Sequence, residues 1–186
     1  TPVLHSVKLD ASWGAGFAPG FPARLSSPFL AAPHSRGPIE RTSGLPAYGR
    51  REPDPELISE AARVLASGGL VAFPTDTLYG LGADAFNSQA VRKVFRAKGR
   101  PANSPVPILL DDPADLRAVA EPIPESARCL AAAFWPGPLT LVVRAGTAVP
   151  GIVTAGSGTV GVRVPDHDTP RSLARALGRP ITGTSA

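Results

Sequence analysis

The stretch LVAFPTDTLYGLG, residues 70–82, decides how this chain folds and where its chemistry is to be sought. Its first four residues are apolar and predict a buried strand, which Pro74 ends because proline has no N–H for strand pairing. Three hydroxyl side chains and two glycines follow, at Thr75, Thr77, Tyr79, Gly80 and Gly82. In open α/β sheets ligands bind beyond the carboxyl ends of strands, and glycines let a ligand approach the backbone. The stretch therefore indicates either a binding loop or a turn whose hydroxyls bond their own backbone.

Outward from this strand, helical and strand patterns alternate along the chain. A helix is predicted to begin at Asp54-Pro55, because Asp is a good N-cap and Pro suits the first helical position, and to end at Gly68-Gly69. Further helices are predicted over 88–98, 112–119, 124–135 and 169–177, and strands over 106–110, 138–143, 159–164 and from 180 onward. This interleaving predicts a single α/β domain, without giving the order of its strands.

The first part of the chain has a different composition. Residues 1–55 contain nine prolines and six glycines and show no sustained apolar periodicity. Such a segment cannot bury enough apolar surface to offset the entropy lost on ordering. We therefore expect residues 1–53 to be a disordered tail, either a targeting peptide or spurious upstream translation, and residues 54–186 to form the domain.

The composition also excludes several classes of protein. No apolar run approaches the roughly 18 residues that a membrane helix needs, and no secretory signal pattern is seen. A reducing, cytoplasmic setting is expected from the presence of a single cysteine. The single cysteine, Cys129, excludes an intramolecular disulfide framework and is predicted to be a small buried hydrophobe. His5, His34 and His167 are too scattered for a zinc site, and no metal site is predicted. The net charge of +4 is spread along the chain without a basic run, which weakens a nucleic-acid interpretation.

Three further motifs each allow a functional and a structural interpretation. The sequence GSGTVG (156–161) matches a dinucleotide fingerprint only weakly, because it precedes a strand where the fingerprint joins a strand to a helix. Lys98 and Arg100 flank the glycine that ends a predicted helix, where they could complement the helix dipole or converge on a polyanion. Arg163 lies in an apolar strand, where burial requires an anionic partner, which could be a ligand carboxylate or an internal acid.

Taken in order, these pieces resemble one family. Strand-PTDTLYGLG, helix-KGRP, WPGPLTLVV, TVGVRVPDH and a final TSA are similar to the motifs of the YrdC-like threonylcarbamoyl-AMP synthases, over about residues 56–186. The resemblance implies a twisted mixed α/β sheet with helices packed on it around a concave basic cavity. It also implies that L-threonine, bicarbonate and ATP are condensed to threonylcarbamoyl-AMP, with Mg²⁺ arriving with ATP. A threonylcarbamoyl-transfer complex would then modify tRNA, and a contact with tRNA or double-stranded RNA is left open.

The resemblance also implies a role for each matching residue. The threonine pocket would comprise Thr75, Arg163 and Gly183, with Thr77 and Tyr79 shaping its wall. The ATP contacts would be Lys98, Arg100, Thr159 and Ser185. Lys98 and Arg100 would be the catalytic pair, since they would offset the charge that develops at the α-phosphate.

Two departures and two rival functions accompany this interpretation. The chain ends at Ser185-Ala186, where the family continues with Asn, so we expect a C-terminally incomplete domain whose activity as a fragment is open. The run VPILL (106–110) has no histidine where some relatives place one near threonine. The rivals are a carbamoyl-adenylate domain of a hydrogenase-maturation carbamoyltransferase and a non-catalytic RNA-binding module of the same fold.

Overall fold

The computed structural model describes residues 5–7, 53–75, 79–99, 101 and 103–185. In these ranges the helices are α1 (Pro55–Ala66), α2 (Ser88–Lys98), α3 (Leu116–Val119), α4 (Glu125–Phe134), α5 (Gly151–Thr154) and α6 (Asp168–Leu177), with a 3-10 turn at Pro113–Asp115. The strands are β1 (His5–Val7), β2 (Leu70–Phe73), β3 (Gly80–Gly82), β4 (Ile108–Leu109), β5 (Leu141–Arg144), β6 (Thr159–Arg163), β7 (Ile181–Thr182) and β8 (Thr184–Ser185). Helices and strands interleave, so the predicted α/β class is confirmed.

The two long helices that flank β2 and β3 are bounded by the expected capping residues. The Asp54 carboxylate accepts a hydrogen bond from the Glu56 N–H at 2.9 Å, and Pro55 opens α1. In α2 the Asn87 side chain accepts from the N–H groups of the first turn, and Gly99 ends the helix with a φ of 57°. Local sequence therefore sets the bounds of both helices before any tertiary packing is considered.

The strands form two four-stranded sheets. The first sheet has the order β1-β2-β3-β8 and is antiparallel throughout. The second has the order β5-β6-β4-β7, and only its β4–β6 pair is parallel. Both sheets are short-stranded, so their stability depends on the helices that cover them.

The two sheets join where β7 passes into β8 through Gly183. Thr182, at the end of β7, donates its N–H to the Ala83 carbonyl at 2.8 Å, and its hydroxyl accepts from the Ala83 N–H at 3.0 Å. Thr182 is fully buried. These two bonds fasten the second sheet to the residue that follows β3 in the first.

The helices cover the sheets with three apolar clusters. Helices α1 and α6 pack against each other and on one side of the junction, where the cluster comprises Ile58, Ala61, Leu65, Val71, Phe73, Leu109, Leu173 and Ile181. Helix α2 covers the other side of the first sheet through Ala90 and Val94, which meet Leu70 and Ala83. A larger cluster contains residues of α2, α4 and α5 with the inward side of β5 and β6. None of the helices in the described residues is long and apolar enough to cross a membrane.

Strand β3 was not predicted, and its presence gives Gly80 and Gly82 a structural role. Residues 80–82 were interpreted as a loop whose glycines admit a ligand, but they form a strand that pairs antiparallel with β2. A Cβ on Gly80 would lie 2.7 Å from the Phe73 ring, and one on Gly82 would lie 2.6 Å from it. The glycines are therefore needed because the Phe73 side chain occupies the space that their side chains would fill.

Cys129 is a second correction, because it is exposed and not buried. Helix α4 turns Ala127 and Ala131 into the core, and these residues are four apart on one face. Cys129 lies two positions from each of them and so on the opposite face, where its thiol is 3.8 Å from the Glu125 carboxylate. The alanine-rich run around Cys129 concealed which of its faces is buried.

The predicted tail is described at few positions. Residues 5–7 form β1, which pairs antiparallel with β2 in the register His5↔Ala72 to Val7↔Leu70, so these three residues depart from the prediction of disorder. Residues 1–4 and 8–52 lie outside the described ranges. For them, disorder stays a prediction.

We predict that Gly82→Ala destabilises the fold by about 1–3 kcal/mol, because the new Cβ would lie 2.6 Å from both the Phe73 ring and the backbone oxygen of Thr182. Gly151→Ala is the matched control, since nothing lies within 4 Å of the added Cβ at the start of α5. Urea unfolding of both variants measures the difference. Equal unfolding midpoints for the two variants would show that Phe73 does not confine Gly82.

Candidate functional site

A cavity of about 170 Å³ opens at the junction of the two sheets. It lies at the end of β2, β6 and β7, so strand termini from both sheets contribute to it. Its lining residues are Phe73, Thr75, Tyr79, Gly80, Leu109, Arg163, Pro165, Gly183, Thr184 and Ser185. Five of the residues singled out from the sequence as site residues therefore line one cavity, namely Thr75, Tyr79, Arg163, Gly183 and Ser185.

The first wall of the cavity comes from the β2–β3 hairpin. Thr75 follows the end of β2 by two residues and is half-buried, whereas Tyr79 precedes β3 and is 44% exposed. Phe73 and Gly80 lie beneath them, with the Phe73 ring against the Gly80 backbone. This wall thus offers the Thr75 hydroxyl and the Tyr79 phenol to a ligand, while the fully buried Phe73 ring supports the Gly80 backbone.

Arg163, the last residue of β6, brings a guanidinium to the opposite wall. Its Nε donates a hydrogen bond of 2.7 Å to the carbonyl oxygen of Gly137, and the side chain is partly buried. Gly137 in turn donates its N–H to the Val164 carbonyl at 2.9 Å. This pair of bonds clamps the loop after α4 to the end of β6 and fixes the direction of the guanidinium.

The WPGP motif (135–138) explains how that loop is held. Trp135 is buried, and its indole N–H donates to the Leu139 carbonyl at 2.7 Å. A Cβ on Gly137 would collide with the carbonyl oxygen of Phe134, so this position requires glycine. The motif is therefore a rigid support for Arg163.

The third wall is the β7–β8 connection. Gly183 lies between the two strands, and a Cβ there would lie 2.5 Å from a methyl group of Leu109. Thr184 and Ser185 follow in β8, which pairs with β3 at Gly80 and Leu81. Leu109 thus packs over a bare stretch of backbone and forms the apolar side of the cavity.

The remaining predicted residues do not line the cavity or cannot be placed. Thr159 is exposed at the start of β6, on the same face of the strand as Arg163, which is four residues or about 13 Å along it. Lys98 is the half-buried last residue of α2 and is not among the lining residues. Thr77 and Arg100 lie outside the described residues.

Four lining residues were missed from the sequence: Phe73, Leu109, Pro165 and Thr184. Phe73 and Leu109 also belong to the apolar cluster beneath α1 and α6, so their hydrophobicity predicted only a core role. Leu109 of β4 pairs in register with Arg163 of β6, which brings it to the cavity. That register cannot be derived from the sequences of the two strands separately. Pro165 lies two residues after Arg163, and Thr184 lies between Gly183 and Ser185. Their closeness to predicted site residues could have indicated them from the sequence.

A larger and shallower groove of about 470 Å³ runs between α1 and α6, away from these residues. It is lined mainly by Pro, Ala, Ile and Leu side chains together with Arg63 and Arg175. Arg175 holds Asp111 in a bidentate pair with both N···O distances at 2.8 Å. Of the predicted site residues that the structure describes, none lines this groove.

The chain is similar to proteins of one family, the family that its motifs resemble. The model of the Sua5_yciO_yrdC family, described as telomere recombination, matches residues 63–186. The chain is similar to the threonylcarbamoyl-AMP synthase of Pyrococcus abyssi, with 48% identity over 126 residues, which are 68% of this chain and 37% of that protein. It is also similar to the Bacillus subtilis threonylcarbamoyl-AMP synthase, with 45% identity over 134 residues, which are 72% of this chain and 38% of that protein. The chain thus spans less than two fifths of the length of these two relatives.

A solved structure shares the fold. The crystal structure of P. abyssi Sua5 complexed with L-threonine superposes with a TM-score of 0.69 at 45% sequence identity, and covers 71% of this chain and 39% of that one. The family match extends over the segment that contains every predicted site residue. By sequence and by fold, the chain belongs to the Sua5/YciO/YrdC family, as its motifs predicted.

Proposed function

We propose that the protein that carries this chain is a threonylcarbamoyl-AMP synthase, which condenses L-threonine, bicarbonate and ATP to threonylcarbamoyl-AMP and pyrophosphate. One observation carries the proposal. Thr75, Arg163, Gly183 and Ser185, to which the resemblance gives threonine and ATP contacts, line a single cavity although they are up to 110 positions apart in the sequence. Two relatives with the name threonylcarbamoyl-AMP synthase, at 48% and 45% identity, support it.

The cavity suits a small amino acid. At about 170 Å³ it is well below the roughly 300–1,000 Å³ of pockets for drug-sized ligands. In the proposed complex the Arg163 guanidinium would pair with the threonine carboxylate, and the Thr75 side chain would meet the polar part of the amino acid. Leu109 would contact its methyl group. P. abyssi Sua5 has been crystallised with L-threonine, which agrees with this assignment for a relative of the same fold.

The reaction would proceed along a line from this cavity toward the nucleotide. The amino group of threonine would first attack bicarbonate, and loss of water would leave the carbamate. A carbamate oxygen would then attack the α-phosphate of ATP, the bond to the β-phosphate oxygen would break, and pyrophosphate would leave. Ser185 and Thr159 would contact the nucleotide, and Lys98 and Arg100 would offset the negative charge of the transition state.

Magnesium would arrive on the phosphates of ATP. In the ranges that the structure describes, no group of three or more His, Cys, Asp or Glu side chains is placed to hold a metal ion. Mg²⁺ commonly binds through substrate phosphates and water with few protein ligands, which fits such a chain. The residues of this chain would then supply only positioning and positive charge.

The product would be passed on to tRNA modification. Threonylcarbamoyl-AMP is a mixed anhydride that water destroys, so a transfer complex that takes the threonylcarbamoyl group to an adenosine of tRNA is part of the proposal. A cytoplasmic site of action and a contact with tRNA or double-stranded RNA belong to it as well. Formation of the adenylate itself needs neither the cytoplasmic location nor the RNA contact.

Pyrophosphate release from the protein that carries this chain tests the function. We expect release that requires threonine, bicarbonate and ATP together. Valine is expected not to be used, because a pocket that hydrogen-bonds a hydroxyl rejects an analogue without it by a large factor, and serine is expected to be used poorly, because it lacks the methyl group that Leu109 would contact. Release that instead requires carbamoyl phosphate would support the carbamoyl-adenylate rival. RNA binding with no release under either condition would support the non-catalytic module.

We predict that Arg163→Leu raises the KM for threonine by roughly 30-fold or more and changes the KM for ATP little, because a charge-assisted bond to the carboxylate would be lost. Threonine titration and thermal melting of the same variant measure both consequences. If Arg163 instead serves only the fold, through its bond to Gly137, the melting temperature falls and the threonine KM of the folded protein stays unchanged. That second pattern would remove Arg163 from the proposed pocket.

We predict that Lys98→Ala and Arg100→Ala each lower ATP turnover at least tenfold, while the melting temperature changes little because Lys98 is only half-buried at the end of α2. The double variant is expected to lose less than the product of the two single losses, since groups that share one ligand are not additive. Arg96→Ala is the matched control, because this arginine is exposed in the last turn of the same helix. Multiplicative losses, or unchanged turnover in either single variant, would contradict a shared phosphate site.

A further inference from the structure

A small hydrogen-bond cluster at the entrance to β6 determines how Thr159 meets a ligand. The Ser157 hydroxyl oxygen lies 2.8 Å from the Thr154 carbonyl oxygen, 3.2 Å from the Thr159 carbonyl oxygen and 3.1 Å from the Thr159 hydroxyl oxygen. It also accepts a hydrogen bond from the Thr159 N–H at 3.2 Å. Thr154 is buried, whereas Ser157 and Thr159 are exposed.

The Ser157 hydroxyl has one hydrogen to share among these oxygens. A carbonyl oxygen can only accept, and two oxygens 2.8 Å apart with no hydrogen between them repel each other. The hydrogen therefore goes to the Thr154 carbonyl, at the ideal distance for an O–H···O bond. Between Ser157 and Thr159, the remaining contact of 3.1 Å then requires Thr159 to be the donor.

This assignment leaves the Thr159 oxygen with acceptor capacity only. In this assignment the single hydrogen of Thr159 goes to Ser157, and the exposed hydroxyl oxygen can still accept a hydrogen bond from a ligand. Phosphate oxygens are acceptors themselves, so a phosphate could bind the Thr159 hydroxyl only by breaking its bond to Ser157. A ligand group that brings an N–H or an O–H of its own binds Thr159 without breaking that bond.

The position of Thr159 fits the nucleoside part of the nucleotide. Thr159 and Arg163 lie on the same face of β6, about 13 Å apart, and alternate with the buried Val160 and Val162. If Arg163 holds the threonine carboxylate, the acyl phosphate lies between the two residues and the adenosine reaches the Thr159 end. Adenosine offers the required donors in the amino group of its base and the two hydroxyls of its ribose.

We propose that Ser157 is a positioning residue that fixes the Thr159 hydroxyl as an acceptor for a donor group of the adenosine. The inference rests on the proposed function, since it takes ATP as the ligand of this face. The residue that contacts the nucleotide is Thr159, and Ser157 acts through it. The Thr159 contact would then discriminate between nucleotides by their nucleoside and not by their phosphates.

Equilibrium binding of ATP and three analogues tests the proposal, independently of turnover. The analogues are purine riboside triphosphate, 2′-deoxy-ATP and 3′-deoxy-ATP, each of which lacks one donor of the adenosine. We expect one of them to bind the unmodified protein roughly two- to tenfold more weakly than ATP, the range for one neutral hydrogen bond. Equal affinity for all four nucleotides, or no nucleotide binding, would overturn the proposal.

Variants of the two residues separate positioning from a structural role. In Ser157→Ala, ATP is expected to lose part of its affinity advantage over the sensitive analogue, and that analogue is expected to lose nothing, because the Thr159 hydroxyl can still accept but is no longer oriented. Thr159→Val should abolish the advantage, and Thr159→Ser should restore it. Ser126→Ala, on the exposed side of α4, is the matched control and should leave all four affinities unchanged.

Two outcomes would contradict the role of Ser157. If Ser157→Ala weakens all four nucleotides by the same factor, the residue supports only the local turn. If it also changes threonine binding or lowers the melting temperature in parallel, its effect is on the fold. The proposed function fails separately, as absence of threonine-dependent pyrophosphate release from the unmodified protein.

Discussion

The junction between the two sheets is the constraint on which the rest of the structure depends. Thr182 ends one sheet and, with two hydrogen bonds to Ala83, holds the edge of the other. Next to it the buried Asp84 accepts from Arg179 at 2.9 Å and from the Phe86 N–H at 2.9 Å, and Asp84 bridges to Ile181. Because β7 and β8 are separated by Gly183 alone, both sheets end at the same place. The cavity exists because their termini meet there.

Core and cavity share side chains in this arrangement. Phe73 and Leu109 belong to the cluster beneath α1 and α6, and they also line the cavity. Each presses on glycine backbone, Phe73 on Gly80 and Gly82, and Leu109 on Gly183. Side chains that are packed this tightly cannot shift without strain. The walls of the proposed threonine pocket are therefore rigid, as the proposed selection of a single small amino acid would require.

Local rules predicted the parts of the fold that local physics controls. Asp54-Pro55 and Gly99 marked the start of α1 and the end of α2, and both are observed where the sequence placed them. Strand β3 was missed because its sequence, GLG, has low strand propensity, and its glycines are explained by contacts across the fold, with the Phe73 ring and, for Gly82, with the Thr182 carbonyl oxygen. Cys129 was misjudged because an alanine-rich helix does not show which face is buried. These errors concern contacts between segments, which a single sequence does not contain.

The residues of the candidate site also fall into those that the sequence alone predicted and those that depend on contacts between segments. Thr75 and Arg163 stood out because each is chemically foreign to its surroundings, a hydroxyl after an apolar strand and a cation within one, and both line the cavity. Leu109 did not stand out, since nothing in VPILL reveals that one of its residues pairs in register with Arg163. The support of Arg163 by the Gly137 carbonyl was equally invisible, because 26 residues separate the donor from the acceptor.

Strand β6 connects the chemistry of the site with the geometry of its ligand. A strand holds alternate residues on one face at fixed intervals, so Thr159, Gly161 and Arg163 form a straight row of about 13 Å. Both ends of this row are anchored by neighbouring loops, Arg163 by Gly137 and Thr159 by Ser157. A molecule that joins an amino acid to a nucleoside through an acyl phosphate is long and has recognisable groups at its two ends. In the proposed function, a rigid strand with a cation at one end and a hydroxyl at the other would match such a molecule in length.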